Sequence, residues 1–292
     1  MFYHRAVISY KGSNYFGWQD LGAGEEKPTL QATIHQVLKK ICKYQECGIS
    51  AASRTDAGVH AQGQVVKFTL PIEIESEKLL QGMNSLLPGD IRVLKCEACL
   101  AGFNPNRDSK SKKYHYYFCV DRINNPVLHD IVAHVPSISE GQTASDDQAT
   151  SDNQATSDNQ TTSDNQTTSD NQTTGTIDLE GMKQACKLFI GEHNFYSFAA
   201  RDANIASTVR KIFSCKILRA EFSSFGNEIY CMEIEGDGFL KHMVRYIVTA
   251  LFEVGRGNLG LDDISQALGS QQQEKLTAKA KSCGLHLIEI CY

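Results

Sequence analysis

Nowhere in its 292 residues does this chain carry an apolar run near the roughly 20 residues that a membrane-crossing helix requires. That absence excludes a protein anchored by such a helix. The first residues, Met1-Phe2-Tyr3-His4-Arg5, lack the apolar core of a secretion signal and lead straight into a strand-like segment. The expectation is a soluble, cytoplasmic protein with no membrane contact. A positive excess is missing too, since the formal net charge is −5, which on its face argues against a nucleic-acid partner. Of ten cysteines, only Cys96 and Cys99 form a C-x-x-C, and no second pair at zinc-ligand spacing accompanies them. Cys42, Cys215 and Cys231 occupy core-like positions, where free thiols usually lie. Reduced thiols in a reducing compartment, rather than a structural zinc, are the better account.

What is present qualifies the charge. Seven acidic residues and no lysine or arginine fall between Ser137 and Gly175, which leaves the remainder at +2. A mildly basic remainder permits an RNA partner without requiring one. Within that stretch Ser145, Ser151, Ser157, Ser163 and Ser169 open hexads of the form S-D-N-Q-T-T. The hexads hold no large apolar residue, so nothing offsets the entropy of ordering them. A β-solenoid would need apolar rungs that they lack. Residues 137–175 are expected to be a disordered, tolerated insert.

Elsewhere the hydrophobic fraction of 41% is that of an ordinary globular protein, and the length suits one large domain or two smaller ones. Periodicity predicts strands at Phe2–Tyr10, Gly48–Ala52, Gln64–Leu70 and Ile91–Leu100. Helices are predicted from the Thr29 cap through Ile41 and over Ser76–Leu86. Between the first strand and first helix, Tyr15-Phe16-Gly17-Trp18-Gln19 presents three exposed-looking aromatics. The second half repeats the order, with strands at Lys112–Val120, Thr208–Leu218, Glu228–Glu235 and Leu285–Cys291. Its helices are predicted over Asp178–Ile190, Phe239–Val254 and Asp262–Leu268. The class is α+β, with two tandem ferredoxin-like (βαββαβ) subdomains at residues 1–103 and 104–292. Antiparallel sheets of this kind leave one face free for a ligand.

The densest chemistry lies in Ser53-Arg54-Thr55-Asp56-Ala57-Gly58-Val59-His60-Ala61, between two short apolar segments and hence on a loop joining two strands. As a turn, it needs only Gly58 for unusual backbone angles and Asp56 for an Asx-type bond to its own loop. A turn needs neither Arg54 nor His60, and polar groups held on a loop by a rigid sheet are where chemistry tends to sit. Further on, Lys110, Lys112 and Lys113 precede and flank Tyr114. They read either as a solvated strand edge or as phosphate holders beside a tyrosine that stacks on a base. Arg245 sits among Met243, Val244, Ile247 and Val248, so it should be largely buried and paired. Its partner is then either Asp56, kept ionised by the cation, or another carboxylate serving structure alone.

Arg54 to Ala61, followed by Gly63-Gln64-Val65, resembles the catalytic signature of the TruA family of tRNA pseudouridine synthases. Tyr10 to Gln19, Leu30 to Ile34, Lys112 to Tyr116, Phe239 to Arg245 and the terminal Gly284-Leu285-His286-Leu287 resemble further blocks of that family, in its order. Only the hexads are foreign. The resemblance implies the two subdomains fused through one central antiparallel sheet, and a homodimer whose clefts bind the anticodon arm of tRNA. It implies isomerisation of uridine to pseudouridine at positions 38, 39 and 40 without cofactor or metal. Asp56 falls on the family's essential aspartate, acting as nucleophile or base, and Arg245 on the arginine paired with it. Tyr114 falls on the tyrosine that stacks on the target base, and Arg54 on the arginine that enters the RNA helix as that base leaves. His60, Lys110, Lys112 and Lys113 complete the expected substrate contacts. Phe103-Asn104-Pro105-Asn106-Arg107 departs from the family's F-x-A-R by displacing the arginine one position. Tyr246 and Thr249 replace the commoner Asn and Gly, a change of packing more than of chemistry. The alternative from another class is a catalytically silent tRNA-binding or folding factor on the same fold.

Overall fold

Alternation along the chain's first strand buries His4, Ala6, Ile8 and Tyr10 on one face. In this computed structural model, which describes residues 1–20, 22, 28–121, 125–135, 177–201, 205–220, 228–269 and 275–292, that strand is β1 (Phe2–Tyr10). It is followed by α1 (Leu30–Ile41), β2 (Gly48–Ala51), β3 (His60–Leu70), α2 (Ser76–Leu86) and β4 (Ile91–Ala98). The second half contributes β5 (Ser111–Cys119), β6 (Ala133–His134), α3 (Leu179–Leu188), β7 (Gly191–Asn194), β8 (Val209–Arg219) and β9 (Ile229–Gly236). It closes with α4 (Met243–Gly255), α5 (Leu261–Gly269) and β10 (Leu285–Cys291). The insert expected to be disordered lies outside the described residues.

The ten strands form one sheet in the order β4-β1-β3-β10-β5-β9-β8-β7, with β2 added on β3 and β6 on β5. The fold is α+β, as the repeated element order predicts. The sheet is not wholly antiparallel as expected. β10 runs antiparallel to β5 and therefore alongside β3, pairing His286 with His60 and Leu287 with Ala61 in parallel. β5 and β6 also pair in parallel, at Phe118 with Ala133 and Cys119 with His134. The two- and four-residue strands β6 and β7 carry too little alternation to be read from sequence.

The helices supply the core. α1 begins where the Thr29 side chain accepts the Ala32 amide, a cap that contributes about 1 kcal/mol. Leu30, Ile34, Val37 and Leu38 recur at helical spacing and are buried, each stabilising the fold by about 2 kcal/mol. On the other half, Phe252 of α4 meets the rings of Tyr116 and Phe118 on β5 edge-on, at 6.1 and 5.0 Å. That contact seats α4 over the middle of the sheet, and the N-terminal end of the helix over the loop between β2 and β3.

α4 starts four residues later than its apolar pattern suggests. His242 adopts φ 63° and ψ 4° immediately before Met243, and a left-handed residue interrupts a right-handed helix. The 15–19 segment also differs from expectation. Tyr15 and Trp18 are buried, and only Phe16 is exposed.

Candidate active site

The loop carrying Asp56 runs from Ala52 to Val59 and is fixed at both ends. Ala52 donates its amide to Val65 O at 2.9 Å, and Val59 to Asp56 O at 3.1 Å. Gln64, fully buried on β3, donates to Ser53 O at 2.7 Å and accepts from the Ser53 amide at 3.2 Å. The Tyr10 hydroxyl bonds Thr55 Oγ1 at 2.8 Å, and the Trp18 amide donates to Thr55 O at 2.9 Å. Gly17 makes that last approach possible. Its φ is 82°, and a Cβ there would lie 2.9 Å from Thr55 O. Gly58, at φ 75°, supplies the turn its type promised.

The Asp56 carboxylate turns toward α4 rather than to an Asx-type bond with its own loop. Its Oδ2 faces Arg245 Nη1 at 3.1 Å, and its Oδ1 faces His242 Nε2 at 3.3 Å. The guanidinium is itself held, because Arg245 Nε donates to Ala280 O at 2.7 Å. Burial pushes the Asp56 carboxyl upward, but His242 and Arg245 together outweigh it and hold the group below its ordinary range. Asp56 is therefore an anion at neutral pH, about a quarter of its side chain open to solvent. His242 was not singled out in the sequence. The signal available was its place in Lys241-His242-Met243-Val244-Arg245, one helical turn before Arg245.

Tyr114 stands on β5 facing this loop. Its hydroxyl lies 2.7 Å from Ser53 Oγ, and its ring meets Phe239 edge-on at 5.2 Å. Burial, with the Asp56 charge adding to it, pushes the phenol up to about 12. The ring is thus a neutral face beside the carboxylate. Arg54 projects from the loop and is exposed.

The lysines separate. Lys110, just before β5, is exposed. Lys112 is not at the surface expected of a phosphate contact. It shares the inward face with Tyr114, and its ammonium donates to Ala52 O at 2.7 Å and Asn106 Oδ1 at 2.8 Å. Burial, then the Arg210 charge, lowers it to about 8. Lys113 points to the opposite face, 3.9 Å from Glu235. His60 departs from the expected RNA contact as well. It is 3% exposed, accepts the Gly12 amide at its Nδ1, and stacks on His286 at 4.5 Å. Its ring serves the joint between β3 and β10. Arg107 is exposed, with its Nε on Asp108 and its Nη2 on Gly102 O. Tyr246 is buried, and its hydroxyl accepts from Lys275 at 2.8 Å.

Among the described residues, His115, Cys231 and Glu233 bring three metal-ligand atoms within 4.8 Å of one another. These groups are engaged in local bonds. His115 Nδ1 lies 3.0 Å from the Tyr117 hydroxyl, and Lys216 lies 2.9 Å from Glu233. They lie across the sheet from Tyr114.

Chemically, the site offers one ionised carboxylate contacted at both oxygens, a neutral aromatic face, and the exposed Arg54 on the same loop. A family model described as tRNA pseudouridine synthase matches residues 6–102 and 185–292. The chain is 43% identical to tRNA pseudouridine synthase A 2 of Desulfotalea psychrophila, over 99% of this chain and 98% of that protein. It is 32% identical to tRNA pseudouridine synthase A of Thermodesulfovibrio yellowstonii, with the same two coverages. The protein of that name from Listeria innocua is 30% identical, again over 99% and 98%.

Proposed function

The chain belongs to the tRNA pseudouridine synthase family, of the TruA type, and isomerises uridine in tRNA; on that premise we propose that the Asp56 site acts at positions 38, 39 and 40 of the anticodon stem-loop. The reaction breaks the uridine N1–C1′ bond, turns the base and rejoins it to the ribose through C5. The C5 proton leaves and N1 regains one, so the bonds balance without an oxidant. Asp56 either attacks C1′ or removes the C2′ proton, and both routes need an ionised carboxylate at the ribose. Tyr114 stacks on the extruded base, and Arg54 fills the space it leaves in the RNA helix. Extrusion costs a few kcal/mol, least at a loop or stem end. Lys110 holds a backbone phosphate. The single observation that carries this reading is the Asp56–Arg245 pair at 3.1 Å, formed by residues 189 positions apart.

The same reading covers the rest of the molecule. Residues 1–103 and 104–292 act as two subdomains, and the protein works in the cytoplasm as a homodimer. Sedimentation of the native protein at the mass of a single chain would refute the dimer.

The test of the chemistry is release of tritium from C5-labelled uridine in whole tRNA, by the native protein and by Asp56→Asn. Release by the native protein and none by the variant is the expected result. Release by neither, with tRNA still bound, would leave a silent tRNA-binding factor and end the assignment to Asp56.

A further inference from the structure

We infer that His242 is a positioning residue that fixes the orientation of the Asp56 carboxylate together with Arg245. The inference rests on the reading of Asp56 as the reacting group. Arg245 Nη1 donates to Oδ2 at 3.1 Å. A carboxylate held by one oxygen still turns about its Cβ–Cγ bond, because that torsion is broad and nearly unrestrained. His242 Nε2 lies 3.3 Å from Oδ1, within ion-pair reach of the second oxygen. Two contacts on opposite oxygens define the plane of the group, and so define where its remaining lone pairs point.

The backbone supports this role independently. Among the described residues only Lys43, Tyr44 and His242 combine a side chain with positive φ. Lys43 and Tyr44 follow α1, and chains commonly leave a helix through the left-handed region. His242 instead precedes a helix. Thr29, Glu75 and Asp178, at the starts of α1, α2 and α3, are all extended. A strained residue at a helix start, with its ring on the proposed reacting carboxylate, is strain kept at a functional site. The His242 carbonyl still accepts the Arg245 and Tyr246 amides, at 3.0 and 3.2 Å. One residue thus sets the Arg245 helix and touches the carboxylate.

Two substitutions separate the ring from the backbone. His242→Gly accepts φ 63° without strain and removes the imidazole. His242→Asn tolerates the same conformation and keeps a short donor. The measurement is tritium release under saturating and limiting tRNA, with thermal unfolding of each variant. For His242→Gly, kcat is expected to fall about 10- to 100-fold, with KM and Tm near native values. His242→Asn is expected to recover most of that loss. A Gly variant with native kcat, or one changed in Tm or KM alone, overturns the inference while leaving Asp56 in its role. An inactive native protein, or an active Asp56→Asn, overturns the reading of Asp56 and this inference with it.

Discussion

Lys110 and Lys112 stand two positions apart, and their ammonium groups meet opposite surroundings. Lys112 ties the base of the Asp56 loop to β5 through Ala52 O, while Lys110 is open to solvent. Lys112→Gln should therefore lower stability, by about 1–3 kcal/mol for the bonds lost in a buried setting, and leave the salt dependence of tRNA affinity unchanged. Lys110→Gln should do the reverse, weakening binding across all tRNAs and flattening the slope of log affinity against log salt by about one. Thermal unfolding and a salt titration of both variants check the pair, and a Lys112 variant of native Tm contradicts it. Period-two alternation already groups Lys112 with Tyr114, Tyr116 and Phe118 on the inward face. Reading its charge as solvated hid that. The nearness of Asp56 and Arg245 could be proposed because a buried arginine demands a carboxylate. The His242 contact was harder to read, because its place one helical turn before Arg245 is only a partial signal and the contact also depends on the left-handed backbone at 242.

At the scale of elements, the Asp56 loop owes its shape to the 15–19 segment beneath it as much as to its own glycine. Gly17→Ala would set a Cβ 2.9 Å from Thr55 O and 3.1 Å from the Ala57 amide, at a φ of 82°. It is expected to displace the loop, lower kcat by on the order of 10²-fold and cost about 1–3 kcal/mol of stability. Kinetics and unfolding of the variant test this, and native values in both would show that the contact yields without consequence. α1 and α2 were legible from caps and apolar spacing, and α2 spans the predicted Ser76–Leu86. The start of α4 was not, because Phe239 and Leu240 continue the apolar pattern of the helix without belonging to it. Buried Tyr15 and Trp18 were misread for a related reason. An aromatic beside turn residues looks exposed until the element that covers it is known.

Across the whole molecule, two stacked histidines occupy the joint between β3 and β10. Burial, with the neighbouring His60 second, brings His286 down to about 3 from an ordinary 6.5. Between those values the unfolded chain binds a proton that the folded protein refuses. Stability is accordingly full above about pH 6.5 and declines as pH falls toward 3. Tm should drop between pH 7 and pH 5, and less steeply in His286→Phe. His60, His4 and His115 keep part of the slope, since burial lowers each of them. Calorimetry at the two pH values decides it, and a native Tm that does not fall refutes it. The repeated element order made the α+β class legible. The parallel joint was not, because it depends on which edges meet, and strand patterns do not encode edges.

β10 also has a consequence in time. It lies between β3 and β5, yet follows every other described strand in the chain. While a ribosome is still making the protein, Asp56, Tyr114 and Arg245 all emerge before the strand that separates β3 from β5. Beyond the parts that β2 and β6 cover, both strands then present unpaired edges, the kind of surface chaperones shield. On the proposed reading of the site, its groups are expected to align only once β10 has joined β3 to β5, so activity on tRNA is expected only after translation has passed residue 291.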